Sequence, residues 1–438
     1  MEETLKALSI ESRLTAIEKE VKEFLATVDK LKATATLSQR NHERKKLYKV
    51  SEFIRLDIED ELLKLHEAPP KTPDAPVPSD ELSHATDPLV IAYAERLNTI
   101  RKQLTLEIQP STGTLLEKVY MVIRLLSFAL IMLGGFFIIF FLIPVRWSHL
   151  ILRKFGVKNN SLPMDYIQTF YGLALCLASG IQIITNNREN LTFKALKDAT
   201  IVMFTHGSNL DGLMVQGTSP TTLKFIAKKV LFMIPFAGWG FRWAFGNIPI
   251  DRSNREASKR SLKALAKAVI FYGRSIAISP EGTRSTNGQL QDFKKGPFYL
   301  QTDVNKSISP VVVHGAFELW PPGRLFTLSG KAYCDYLPQF QVDPAKSRNA
   351  NRLALRRVYL EAAAKPVPDD LSTSPDPLHV LYHIGFILLL WVTVPTTCWL
   401  ICKGIGAIAT ALQLSSWGTT QLIISTLLGL ETFMFFTC

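Results

Sequence analysis

The chain has 438 residues, with 50 Lys and Arg against 38 Asp and Glu and a net charge of +12, and 47% of it is hydrophobic; that length calls for two or three folding units. Residues 1–118 hold 18 Lys and Arg against 21 Asp and Glu, so the positive surplus belongs to the remainder, where the long apolar runs also lie. This pairing fits an anionic lipid neighbour, and the lack of any zinc-finger, RNP or aromatic-interleaved basic motif argues against nucleic acid.

From the amino terminus, Ala7, Ile10, Leu14, Ile17, Val21, Phe24, Val28 and Leu31 recur at three and four spacing and predict an amphipathic helix over 5–36. No charged start followed by an apolar stretch marks a cleavable signal peptide. A second helix is expected over 43–67, where Leu47, Val50, Ile54, Ile58, Leu62 and Leu65 share a side, and a third over 88–108. Between them, Pro69, Pro70, Pro73, Pro76 and Pro78 make 68–87 a loop. Residues 1–110 thus read as an antiparallel three-helix bundle.

Leu125 to Val145 runs without a charge and is long enough to cross a hydrocarbon core. Basic residues flank both ends, Lys118 and Arg124 before and Arg146, Arg153 and Lys154 after, which favours a half-inserted or re-entrant placement over a simple crossing. Tyr166 to Ile184 either packs against that segment as a hairpin or is a buried helix of the following unit; together they define a membrane-associated region over 118–185. Residues 190–345 alternate strand and helix patterns, with short buried strands at Ile201–Thr205, Ile276–Ser279 and Val311–Val313, as in an α/β sheet domain. A helix and linker follow over 346–375. Two apolar segments, Val380–Cys402 with Pro395 and about 420–436 with Glu431, fill 378–438.

Five scattered cysteines, Cys176, Cys334, Cys398, Cys402 and Cys438, argue against a disulfide framework or a zinc site. His379 and His383 stand four apart, but no third ligand lies nearby, so no metal is expected.

The chemistry concentrates in two strings, HGSNLD at 206–211 and EGTRS at 281–285. His206 at a strand end, with Asp211 in the first turn of the next helix, forms the base and orienter of a triad. A substrate hydroxyl takes the place of the nucleophile. Arg284, in a Gly-containing loop, can grip a phosphate at two points, as can Arg252 at the end of GNIPIDR. Lys228, Lys229 and Lys295 add positive potential for a phosphate or for the pyrophosphate of coenzyme A.

In fixed order the chain carries HGSNLD (206–211), KKVLFMIPFAGWGFRWAFGNIPIDR (228–252), SPEGTRS (279–285) with FKKG (293–296), and PVVVHG (310–315). These blocks resemble the PlsC-like glycerolipid acyltransferases, the lysophosphatidate acyltransferases. The resemblance implies an α/β domain beside membrane-inserted helices, with His206 as general base and Asp211 its partner. Arg252, Glu281, Gly282, Thr283, Arg284 and Ser285 would form the acceptor end, and Pro310–Val313 the sheet beside the acyl channel. It also implies acyl-CoA as co-substrate with no bound cofactor, a lysophospholipid acceptor, lysophosphatidic acid first and others or glycerol-3-phosphate as alternatives, and an endoplasmic-reticulum membrane with the site facing the cytosol. On that orientation the sequons at Asn159, Asn190 and Asn305 carry no sugar. Two departures, Thr205 and Ser279, bear on acceptor fit.

The amino-terminal unit resembles a BAG domain on IEKEVKEFL (17–25), KKLYKVSEFIRLDIEDELLKLHE (45–67) and ERLNTIRKQL (95–104). That resemblance implies a DnaK-type heat-shock chaperone as partner, with Arg96 and Gln103 as contacts, and a second reading of the whole chain as a membrane-anchored adaptor. A plain coiled coil fits the same pattern.

Overall fold

The computed structural model describes residues 12, 15–27, 54, 115–155, 163–190, 199–251, 255–325, 327–364, 376–411, 418, 420–421 and 423–427. Of the expected three-helix bundle, residues 15–27 are helical, and Ile17, Val21 and Phe24 on the apolar stripe are buried, as is Ile54. The helix at 88–108, the loop at 68–87 and Arg96 and Gln103 lie outside the described residues.

A seven-stranded mixed sheet organises the rest. In chain order its strands are β1 (Ile181–Asn186), β2 (Ile201–Phe204), β3 (Leu223–Lys228), β4 (Ile248–Ile250), β5 (Ser275–Ile278), β6 (Ile308–His314) and β7 (Gly330–Tyr336). They lie in the order β1-β7-β6-β2-β5-β3-β4. All neighbours are parallel except β6 and β7. The α/β expectation holds, and the three strands anticipated at 201, 276 and 311 are the central ones. The sheet nevertheless starts earlier than residue 190. Gly180, at φ +74°, turns the chain out of a helix directly into β1, so Tyr166 to Ile184 divides into a buried helix and an edge strand instead of forming a hairpin arm.

Strand β2 shows how the layers arise. Side chains alternate across a strand, so Ile201 and Met203 enter one apolar cluster while Val202 and Phe204 enter another on the opposite face. Three helices close the first face: α6 (Arg255–Ile270), α7 (Gly296–Val304) and α8 (Arg348–Ala364). They contribute Leu265 and Val269, Phe298 and Leu300, and Leu355 and Leu360. Tyr359 of α8 donates from its hydroxyl to the Met203 carbonyl at 2.6 Å. The segment expected as helix and linker at 346–375 therefore supplies a core layer. The second face receives α4 (Pro163–Ala178) through Cys176, and α5 (Asp211–Thr218) through Met214 and Val215.

Over α4 lies a nearly unbroken apolar helix: α1 (Leu115–Leu130), a π turn at Ile131–Gly135, and α2 (Phe136–Phe141). The π turn carries the two glycines, and their missing side chains let neighbours approach. Gly134 faces Val394, and a side chain on Gly135 would meet the Tyr171 ring at 3.0 Å. Tyr171 of α4 donates to the Ile131 carbonyl at 2.8 Å, tying α4 to the π turn. After α3 (Ile143–Lys154) the chain returns through α4. The last long helix, α9 (Pro377–Ala411), runs beside α1, with Trp391 donating to Ser127 Oγ at 3.0 Å and His383 bonded to Tyr120. Asp376, at its foot, bonds Gln182 and pairs with Lys331 at 2.7 Å. Among the described residues, two helices are long and apolar enough to cross a membrane, Lys118–Phe141 with 24 residues and Pro377–Ala411 with 35.

Candidate active site

Register brings the two chemical strings together. β2 and β5 are parallel neighbours with Ile201 opposite Ile276, Val202 opposite Ala277 and Met203 opposite Ile278. Carried past the strand ends, the same register sets His206 level with Glu281. Both strings thus leave the sheet at the carboxyl ends of adjacent strands, where α/β sheets present their ligand crevices.

The His206 ring is held as anticipated. Asp211 opens α5, and its Oδ2 lies 3.3 Å from His206 Nδ1. The same oxygen accepts from the Ser208 N–H at 2.6 Å, so the turn folds the carboxylate back onto the ring and the backbone together. Burial raises the Asp211 carboxyl above its usual range, and the hydrogen bond and charge of His206, with the N–H groups of Ser208 and Gly207, oppose that rise. The carboxylate is enclosed while the imidazole remains 25% exposed. With Nδ1 directed at Asp211, Nε2 is the nitrogen offered to a reactant.

The EGTRS string divides into an inward and an outward half. Glu281 is buried; its Oε1 accepts the His206 N–H at 2.6 Å and its Oε2 accepts the Gln291 N–H at 2.7 Å. Ser285, also buried, donates its own N–H to the His206 carbonyl at 2.8 Å. Thr283 and Arg284 face outward, and Arg284 donates to the Asn209 carboxamide oxygen. Glu281 and Ser285, expected at the acceptor end, are thus engaged within the protein: the carboxylate by backbone N–H groups, and the Ser285 hydroxyl by Asn287 Oδ1 at 2.9 Å and the Gln291 amide at 3.1 Å. Gly282, at φ +73°, makes the turn, and a Cβ there would sit 3.1 Å from Lys294 Cγ. Gly282→Ala is expected to cost about 1–2 kcal/mol through the left-handed conformation alone, read as a lowered unfolding midpoint.

Of the other anticipated cations, Lys228 ends β3 exposed, Lys229 follows half-buried, and Lys295 is exposed just before α7. Arg252 lies outside the described residues, just past the last residue of β4. Thr205 serves the sheet, since its Oγ1 accepts the Val313 N–H at 2.8 Å and ties β2 to β6; acceptor fit is not its visible role.

Sequence reasoning missed the support behind the loop. The Trp320 carbonyl accepts from Ser208 Oγ at 2.7 Å and from the Asn209 N–H at 3.2 Å, and the Pro321 carbonyl accepts from the Asn209 amide. Trp320 in turn meets Phe128 of α1 edge-on, ring centres 5.1 Å apart, so the loop after β2 leans on the apolar helix. Asn209 stood within HGSNLD and could have been marked, whereas Trp320 gave no signal in sequence. Among the described residues no three His, Cys, Asp or Glu come together as a metal site.

The acyltransferase family profile matches residues 182–314, from β1 to the end of β6. The chain is also similar to the 1-acyl-sn-glycerol-3-phosphate acyltransferase of Limnanthes douglasii, 31% identical over 147 residues, 34% of this chain and 52% of that one. The Saccharomyces cerevisiae enzyme of the same name is 34% identical over 148 residues, covering 33% and 47%. The Borreliella burgdorferi one is 32% identical over 171, covering 39% and 66%. The chain spans about half the length of the first of these relatives. The crystal structure of the 1-acyl-sn-glycerophosphate acyltransferase PlsC from Thermotoga maritima aligns with a TM-score of 0.44 at 22% identity, over 56% of this chain and 96% of that one. The family match stops short of residues 1–110, and the BAG-like reading draws no support from it.

Proposed function

We propose that the acyltransferase domain moves a fatty acyl group from acyl-CoA to the free hydroxyl of a lysophospholipid, with lysophosphatidic acid as acceptor and phosphatidic acid as product. The observation that carries this reading is the Asp211–His206 pair at the carboxyl end of β2, beside the outward-facing Arg284. The names of the relatives support the same acceptor.

In this reading His206 Nε2 takes the proton of the acceptor hydroxyl as its oxygen attacks the thioester carbonyl. Asp211 steadies the imidazolium. Collapse of the tetrahedral adduct breaks the carbon–sulfur bond, and the coenzyme A thiolate recovers the proton from Nε2 and leaves as the thiol. Every proton is accounted for without a protein nucleophile. Arg284, joined where it can reach by Arg252, receives the acceptor phosphate, and Lys228, Lys229 and Lys295 supply the surrounding positive potential.

The apolar helices give the lipid its approach. α1 and α2 are tied to the domain at two points, by Arg124 within α1 donating to the Thr327 carbonyl at 2.8 Å and, just beyond α2, by Arg146 pairing with Asp165 at 2.8 Å. A helix held at two points lies along the domain, and we place it half-inserted in the leaflet facing the site, with exposed Val122, Ile123, Leu126 and Leu133 toward lipid. The cytosolic side of an internal membrane, where acyl-CoA is available, is the natural orientation. The contacts that the chaperone-adaptor reading names, Arg96 and Gln103, lie outside the described residues, and no observation favours it.

A panel of lysophosphatidic acid, lysophosphatidylcholine, lysophosphatidylinositol and glycerol-3-phosphate tests the acceptor; a preference for a choline-bearing lysolipid would displace the proposed one. Arg284→Ala should raise the acceptor KM by roughly ten- to a hundredfold, the worth of a hydrogen bond to a charged group, with kcat little changed. An unchanged KM removes Arg284 from the phosphate site.

A further inference from the structure

We infer that Glu281, with Ser285, is a positioning residue for the base and does not bind the acceptor. The inference rests on the proposed role of His206 and assigns the first and last residues of EGTRS a task of their own. The peptide groups flanking the His206 α-carbon are held from both sides by this one string. Its N–H donates to Glu281 Oε1 at 2.6 Å and its carbonyl accepts from the Ser285 N–H at 2.8 Å.

The spacing follows from the register. Glu281 stands level with His206 across the β2–β5 pair, and the left-handed Gly282 at φ +73° turns the chain so that Ser285 returns to the far side of the same residue. Thr283 and Arg284 are the two positions left looking outward, which is where a phosphate ligand belongs.

The chemistry of the side chain fits a carboxylate and nothing else of its size. Both oxygens accept backbone N–H groups, the second from Gln291 at 2.7 Å, and an ionised carboxyl is acceptor-only. A glutamine offers one oxygen and one NH2, so one of the two backbone donors would face another donor. Gln291 is itself fixed, since its amide reaches Ser285 Oγ at 3.1 Å and its carbonyl accepts from Arg356 at 3.4 Å. The clamp is thus anchored to α8 in the core. The buried negative charge also lies beside the residue that becomes cationic during transfer, on the backbone side of the imidazole, with Asp211 on its ring side and Arg284 one loop away.

The test is steady-state kinetics of the full-length protein carrying Glu281→Gln. A fall in kcat of about a hundredfold or more is expected, the scale of losing a positioned base, with the acceptor KM within about threefold of wild type. The kcat is referred to the folded fraction, read from the unfolding amplitude of the same preparation, so that a smaller folded fraction does not lower it. A raised acceptor KM with kcat retained would return Glu281 to the acceptor site and overturn the inference, and a kcat per folded molecule equal to wild type would overturn it in favour of a stability role. Should Glu281→Gln fail to fold, Glu281→Asp, one methylene shorter, is put through the same readings; failure of both to fold also overturns a positioning role. His206→Ala run in parallel separates the two claims, since turnover retained there would defeat the base assignment whatever Glu281 does.

Discussion

His206→Ala should lower acyl transfer by about a hundred- to ten-thousandfold, the range a positioned general base supplies. The fold should survive, because what fixes this residue is backbone. Its N–H and carbonyl bonds to Glu281 and Ser285 do not involve the imidazole, and the ring is partly exposed. An unfolding midpoint within about 4 °C of wild type is expected for so small a loss of packing. Asp211 keeps its bond from the Ser208 N–H in that variant, so the helix start is not left with an idle buried carboxylate. A midpoint that collapses together with activity would make His206 a structural residue.

The second large effect lies away from the chemistry, at Asp165. This buried carboxylate is shared by Arg146 of α3 at 2.8 Å, Lys224 of β3, and Arg274, which precedes β5. All four side chains are buried. Burial pushes the Asp165 carboxyl up, but Lys224, Arg274 and Arg146 outweigh it and hold the group well below the usual carboxylate range. Lys224 is the surplus cation: burial pulls it down to about 7, with Asp165 working against the fall and Arg146 and Arg274 adding to it. Asp165→Asn removes the one anion these three cations share, and a loss on the order of 3–5 kcal/mol is expected, as for other buried ion groups stripped of a partner. Lys224→Met, which removes a surplus charge but keeps the stem, should cost clearly less.

The pH dependence has a defined sign. The depressed Asp165 stabilises the fold above the ordinary carboxylate value, and this contribution is lost as pH falls through the folded value. Folded Lys224 binds its proton less readily than it does unfolded, so stability rises with pH from about 7 toward 10.5. Thermal unfolding across that window should show the slope in wild type and lose it in Lys224→Met. If Asp165→Asn unfolds like wild type, the node does not tie the apolar helices to the sheet.

Much of the central architecture was legible because it rests on local rules. The buried runs at 201, 276 and 311 have the length and apolar content of enclosed strands, and HGSNLD carries its own geometry, since Asp211 opens the helix that follows. What escaped depended on partners distant in sequence. β1 hides behind an apolar helix with only Ser179 and Gly180 between them, and β4 is three residues long. β3, LKFIAK, carries Lys224, which pattern alone marks as outward and which Asp165 in fact draws into the interior. The inward task of Glu281 was hidden for the same reason: only the β2–β5 register shows that its opposite number is the His206 backbone. Trp320 supports the loop through its carbonyl, which no side-chain motif can reveal.

The central claim, that this imidazole and carboxylate hand an acyl chain from a thioester to a lipid hydroxyl, is measured most directly by stoichiometry. Purified full-length protein in mixed micelles is given palmitoyl-CoA and lysophosphatidic acid, and free thiol and phosphatidic acid are counted over time. Equal amounts of the two are expected, with both formed about a hundred- to ten-thousandfold more slowly by His206→Ala. Thiol released without phosphatidic acid, or both products formed at the wild-type rate by the His206→Ala protein, would contradict the claim.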